Sequence, residues 1–157
     1  MLISFSKGRG KPDTLSCLRT DGSRTWKQLH PGLVYHDLLH YVVESELGLR
    51  ESFFGLLAQG HSIMDYELPA AERSFEVTAQ ALITEQLVAL LQLEIAGQGQ
   101  DADPIKTLRA SCHASGIELP LEITPKRVDA LRAAGRELTG RWKALEPKQV
   151  LELPFPD

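Results

Sequence analysis

The sequence predicts an α+β fold, a small antiparallel sheet of N-terminal strands plus a C-terminal strand, packed on about five helices. Three observations carry that expectation. The first thirty residues read as short β-branched and aromatic runs broken by turn signals. From Leu33 onward the apolar residues recur at helical three- and four-residue spacing. The last segment, QVLELPF, returns to strict alternation with Leu151, Leu153 and Phe155 on one face. A chain of 157 residues is one domain on length alone. At that size folding buries about 68–70% of the surface, so the core needs no disulfide or metal staple.

Residues 2–6 form the first strand, which ends in the loop KGRGKPD. Residues 14–20 and 23–29 flank Asp21-Gly22, a dipeptide suited to both centres of a type I′ turn. That two-residue turn places Cys17 opposite Trp26. A hairpin of this size is marginal alone and must pack on helices. The first helix runs from Leu33 to Leu47, with Gly48 just past its end. A second helix spans residues 50–59 and stops at Gly60, and residues 61–68 read as a loop. Pro69 opens a third helix over residues 70–96, apolar on most sides from Ala79 and therefore central. The loop GQGQDAD leads to Asp103-Pro104, a cap and first-turn proline for a short helix ending near Gly116. Thr124-Pro125 repeats that signal for a final helix that Pro147 limits. The closing strand joins the N-terminal sheet, and Pro154 suits an edge position.

Composition excludes several function classes. The net charge of −4 and pI near 5.7 oppose a general nucleic-acid binder, which needs a clustered cationic surface. They give no support for docking on an anionic membrane either. The start, MLISFSKGRGKP, lacks an apolar run of signal-peptide length, and LVALLQLEIAG is interrupted by Gln92 and Glu94. Cys17 and Cys112 lie far apart and form no C-x-x-C pair, so Cys112 reads as a buried free thiol. A bacterial-type cytoplasmic protein with neither nucleic-acid nor membrane partner is the expectation.

The chemistry concentrates in HDLLHYVVE. At about 100° per residue, Leu38, Leu39, Val42, Val43 and Leu47 fill one arc of the first helix. His36, Asp37, His40 and Glu44 fall on a neighbouring arc at the edge of that buried face. Two histidines at i and i+4 can hold one cation, and catalytic zinc takes a third protein ligand. Glu44 extends the row by one turn. Asp37 is offset enough to act as a base on bound water or to orient an imidazole. The alternative is a solvated row of ordinary i, i+4 pairs.

These residues carry a resemblance. The stretch HDLLHYVVESELGLRESFFGLLAQG, residues 36–60, resembles the core of a family of uncharacterised bacterial proteins. That family shows a Pro-His-Asp-Leu-x-His block, an acidic helix end, Leu-Gly-Leu and a glycine-containing second helix; Tyr35 stands here in place of the proline. A more distant similarity is to the H-D-x-x-H motif of a helical ubiquinone-biosynthesis protein family, completed there by a glutamate twelve residues after the second histidine. Here that position is Ser52, with Glu51 beside it. His36, Asp37 and His40 match residue by residue, and the resemblance implies zinc or another divalent metal.

Other candidates have plainer readings. Glu46 falls inside the apolar arc and is expected to pair with Arg50. His61 and Asp65 suit a capping role, with folding back as a third ligand the alternative. Glu85 interrupts the apolar third helix and could supply a carboxylate from a neighbouring helix. KGRGKP lacks the G-x-x-x-x-G-K-[ST] pattern of a phosphate cradle. The basic residues of the last helix are mixed with Asp129 and Glu137, as on a solvated face.

Two functional readings follow. The first is a protein binding zinc or another divalent metal through His36, His40 and Glu44, with Asp37 as the catalytic carboxylate in metal-assisted hydrolysis or proton transfer. The second is a non-enzymatic interaction module, a homodimer covering the apolar third helix and the stripe of the last one.

Overall fold

The computed structural model describes residues 1–98 and 103–156 and has the expected α+β architecture. Strands β1 (Leu2–Ser6), β2 (Thr14–Leu18), β3 (Arg24–Gln28) and β4 (Val150–Pro154) form one antiparallel sheet in the order β3-β2-β1-β4. The C-terminal strand therefore lies at the edge beside β1, as its alternation predicts. Ile3, Phe5, Leu15, Cys17, Leu151 and Leu153 are the inward row, all buried. Against them pack α1 (Leu33–Leu47), α2 (Phe53–Ala58), α3 (Ala79–Ile95), α4 (Pro104–Ala114) and α5 (Pro125–Ala144). Among the described residues no helix is long and apolar enough to cross a membrane.

The hairpin departs from expectation by one residue. Cys17 pairs with Thr25, and Trp26 pairs with Ser16. The turn holds three residues rather than two: Gly22 N–H donates to Arg19 O (3.1 Å), and Arg19 N–H donates to Ser23 O (2.9 Å). Gly22, at φ 84°, supplies the left-handed closing residue that a type I turn requires in a three-residue loop. A slip of one residue moves a side chain to the other face, so Trp26 is 58% exposed.

Both cysteines are buried free thiols. The basic loop after β1 has a structural task. Lys7 Nζ donates to the carbonyls of Trp142, Lys143 and Leu145, which closes the C-terminal end of α5.

The middle of the chain corrects two helix assignments. Residues 50–52 are not helical, and α2 begins at Phe53. Pro69 does not open α3; it precedes a short 3-10 turn, Ala70–Glu72, after another at Ile63–Glu67. The start of α3 is Thr78, whose Oγ1 accepts the N–H of Ala81 (3.0 Å). Residues 73–78 are spent instead on covering aromatic surface, with Phe75 packed on Tyr66 at 4.5 Å between centroids. Glu46 is exposed rather than buried in the apolar arc, and Arg50 places its guanidinium over Phe155 instead of pairing with it. At that turn Arg127 of α5 donates to the Glu46 carbonyl (3.3 Å), while the Glu46 side chain stays exposed.

The caps at Asp103 and Thr124 are as expected. Of the loop GQGQDAD, residues 99–102 lie outside the described residues. Thr124 Oγ1 accepts the N–H of Arg127 (3.3 Å) at the start of α5. Thr124→Ala should cost about 1 kcal/mol, measured as a lower denaturant midpoint at unchanged slope. The apolar surface of α3 is mostly covered by α1, α4 and α5, leaving Leu93 and Ile95 about half-exposed near its end.

Candidate metal centre

α1 and α3 pack side by side, which brings residues distant in sequence to the row of histidines. His36 Nε2 and His40 Nε2 lie 3.1 Å apart, and His40 Nε2 lies 3.3 Å from Glu85 Oε1 on α3. These three ligand atoms fall within 4.8 Å of one another. A tetrahedral zinc with bonds of about 2.0–2.1 Å to nitrogen needs ligand atoms about 3.3 Å apart. The two separations made by His40 Nε2, 3.1 Å to His36 Nε2 and 3.3 Å to Glu85 Oε1, match that spacing.

Both imidazoles are held from behind. His36 Nδ1 donates to Gln92 Oε1 (3.3 Å), and His40 Nδ1 donates to Glu44 Oε1 (3.3 Å). Glu44 is wholly buried, and its second oxygen accepts the N–H of Gly55 at the start of α2 (3.0 Å). With each Nδ1 committed to an acceptor, a cation must bridge the 3.1 Å between the two Nε2 atoms: a proton on His40 Nε2, which also faces Glu85, or a metal ion.

The electrostatics say the same. Burial disfavours a charged His40, yet hydrogen bonds and charge from Glu44 and Glu85 outweigh it and hold its pKa up at about 9. Glu85 is correspondingly held below the usual carboxylate range by its hydrogen bond to His40. The pocket thus favours positive charge between two carboxylates.

The structure sorts the expected residues. His36 and His40 converge as the i, i+4 spacing predicts. Glu44 does not join them: its carboxylate accepts from His40 Nδ1 and from the Gly55 N–H instead. The third position is filled by Glu85, from the neighbouring helix. Asp37 is buried beside the cluster, and its Oδ2 has no hydrogen-bond partner among the described residues. Burial raises its pKa, opposed by the charges of Lys27, His40 and His36. The Tyr66 hydroxyl is likewise buried and unpartnered, and burial followed by the charges of Glu44 and Glu85 pushes its pKa up. Two of the three buried side-chain polar atoms without a partner among the described residues thus flank one cation-attracting cluster, Ser45 Oγ being the third.

His61 and Asp65 stand apart from the centre. Asp65 closes the capping box of the turn at Ile63–Glu67, and Ser74 Oγ bridges it to His61 Nδ1. Gln92 and Tyr66 carry no signal in the sequence, since neither lies in a ligand pattern and both matter only through the packing of other segments.

A cavity of about 210 Å³ adjoins the cluster and includes His40 and Glu85 in its lining. A larger groove of about 570 Å³ lies over Leu39 between α3 and α5, but it contains neither histidine. Its Arg132 is already forked onto Glu94 and Asp129. The smaller cavity is the one with chemistry at its wall. Comparison with known proteins gives no match to a family model, a curated sequence or a solved structure.

Glu44→Gln separates orientation from ligation. The amide keeps the side-chain volume and leaves His36, His40 and Glu85 in place, but it is a weaker acceptor for His40. Metal affinity should fall by about 10–100-fold, measured by competition with a chromophoric chelator. An unchanged affinity would remove Glu44 from the supporting role.

Proposed function

We propose that this protein binds one divalent transition-metal ion, zinc by ligand chemistry, through His36 Nε2, His40 Nε2 and Glu85 Oε1. The observation that carries the reading is the convergence of these three atoms within 4.8 Å of one another, with both imidazoles held from behind by acceptors. Two imidazoles and a carboxylate suit zinc among the common divalent ions. The match of His36, Asp37 and His40 to an H-D-x-x-H motif points the same way.

Three protein ligands leave the fourth zinc position for water or substrate, the arrangement of catalytic rather than structural sites. A bound zinc would acidify a water there toward neutrality, and Asp37, buried beside the cluster with an unpartnered oxygen, is the residue that would take up its proton. The reaction class this supports is metal-assisted hydrolysis or proton transfer, with Asp37 as base.

Calorimetric titration of zinc into chelator-treated protein carrying no affinity tag tests the reading. One zinc per chain should bind, and binding should be lost in His36→Ala and in Glu85→Ala. Both positions are partly or largely exposed, so these variants keep the fold. Absence of binding, or affinity unchanged in both variants, contradicts the assignment.

A further inference from the structure

The cavity beside the proposed metal is built differently from the centre it adjoins. Its walls are Phe53, Leu56, Tyr66, Phe75 and Leu82, and its lining includes His40 and Glu85. The aromatic walls are mutually braced: Phe53 and Tyr66 meet edge-on at 4.8 Å, and Tyr66 packs on Phe75 at 4.5 Å. Phe53 also packs edge-on against the His40 ring at 5.6 Å, so one wall touches a metal-binding imidazole directly. The cationic lining residue, Arg73, donates its N–H groups to the carbonyls of Leu68 and Tyr66, which ties it to the backbone of its own loop.

We infer that this slot is the substrate pocket of the centre and takes a single apolar ring, or a branched aliphatic group of that size, bearing an oxygen-donor head that reaches the metal. The inference rests on the metal reading above. Size limits the occupant. An apolar cavity of about 150 Å³ holds benzene, so about 210 Å³ accommodates one ring and a short link but not a fused system. Drug-sized ligands occupy about 300–1,000 Å³. Chemistry sets the orientation: the walls are mostly aromatic and aliphatic, and of the polar lining residues Ser52, Arg73, Glu76, His40 and Glu85, the last two adjoin the proposed metal. A carbonyl, carboxylate or hydroxamate oxygen there meets the open metal position while the ring is removed from water among Phe53, Tyr66 and Phe75.

The test uses zinc-loaded protein and two probes that share a head group. Benzohydroxamate carries the ring and acetohydroxamate does not. After each affinity is corrected by that for free zinc, benzohydroxamate should bind at least about tenfold tighter, because burial of a ring adds favourable apolar transfer. Ala81→Phe, at a partly exposed position of the lining in the first turn of α3, fills the slot and should bring the ratio to near one. Equal affinities in the unmodified protein, or a preference that survives Ala81→Phe, overturn the pocket assignment alone. If zinc itself fails to bind in the preceding titration, the metal reading falls and this one with it.

Discussion

Gly55→Ala is expected to destabilise the protein by about 4 kcal/mol or more, among the largest effects a single added methyl group can have. A Cβ at Gly55 would stand 2.2 Å from the carbonyl oxygen of Arg50 and 2.4 Å from its carbon. These are backbone atoms of the connection between α1 and α2, so no rotamer change relieves the overlap. Either α2 moves away or the connection deforms. For a chain of this length each kcal/mol lowers Tm by about 2–4 °C, so calorimetry should read a drop of about 10 °C. The effect extends to the metal centre. Gly55 N–H is the group that holds Glu44, and Glu44 in turn holds His40. Zinc affinity should therefore fall in the same variant, although Gly55 is no ligand. A variant with wild-type Tm would show that the close approach of α2 to residue 50 is not required.

His40→Ala should abolish measurable zinc binding, a loss beyond the roughly 100-fold that removal of a supporting hydrogen bond causes. His40 is the hub of the cluster, meeting His36 and Glu85 through Nε2 and Glu44 through Nδ1. Its removal also leaves the buried Glu44 carboxylate with the Gly55 N–H as its one hydrogen-bond partner among the described residues. Breaking a buried ionic contact from one side costs about 3–5 kcal/mol, so the metal-free variant should be less stable as well. His36→Ala makes the comparison clean. It loses the metal, but its side chain is only half-buried and the Glu44–His40 contact stays in place without it. Near-wild-type stability with lost binding in His36→Ala, beside lowered stability with lost binding in His40→Ala, is the expected pair. Retained binding in His40→Ala would contradict the ligand assignment.

What the sequence showed and what it hid follow one physical division. Features set by local period or local cap chemistry were legible. The i, i+4 pair of His36 and His40, the caps at Asp103 and Thr124 and the alternation of the last strand all appear in the structure as expected. Features decided by what packs across from a residue were not. Glu44 lies on the same helical arc as the histidines, and nothing on that arc tells that the Gly55 N–H approaches from α2 and captures it. Glu85 was recognisable only as a carboxylate interrupting an apolar helix. Its role depends on how α3 lies against α1, 45 residues away by number. The extra loop residue in the hairpin reversed the side of the sheet occupied by Trp26, because Asp21-Gly22 is compatible with both turn lengths. Residues 73–78 fall within the span expected to be helical but are not, and Phe75 packs on Tyr66 instead.

X-ray absorption at the zinc edge, on tag-free protein loaded with one equivalent, tests the central claim most directly. The account predicts a low-coordinate oxygen and nitrogen shell at about 2.0–2.1 Å, with outer-shell scattering from two imidazoles. One imidazole contribution should disappear in His36→Ala. A six-coordinate oxygen shell without imidazole scattering, or a spectrum that His36→Ala leaves unchanged, would contradict it.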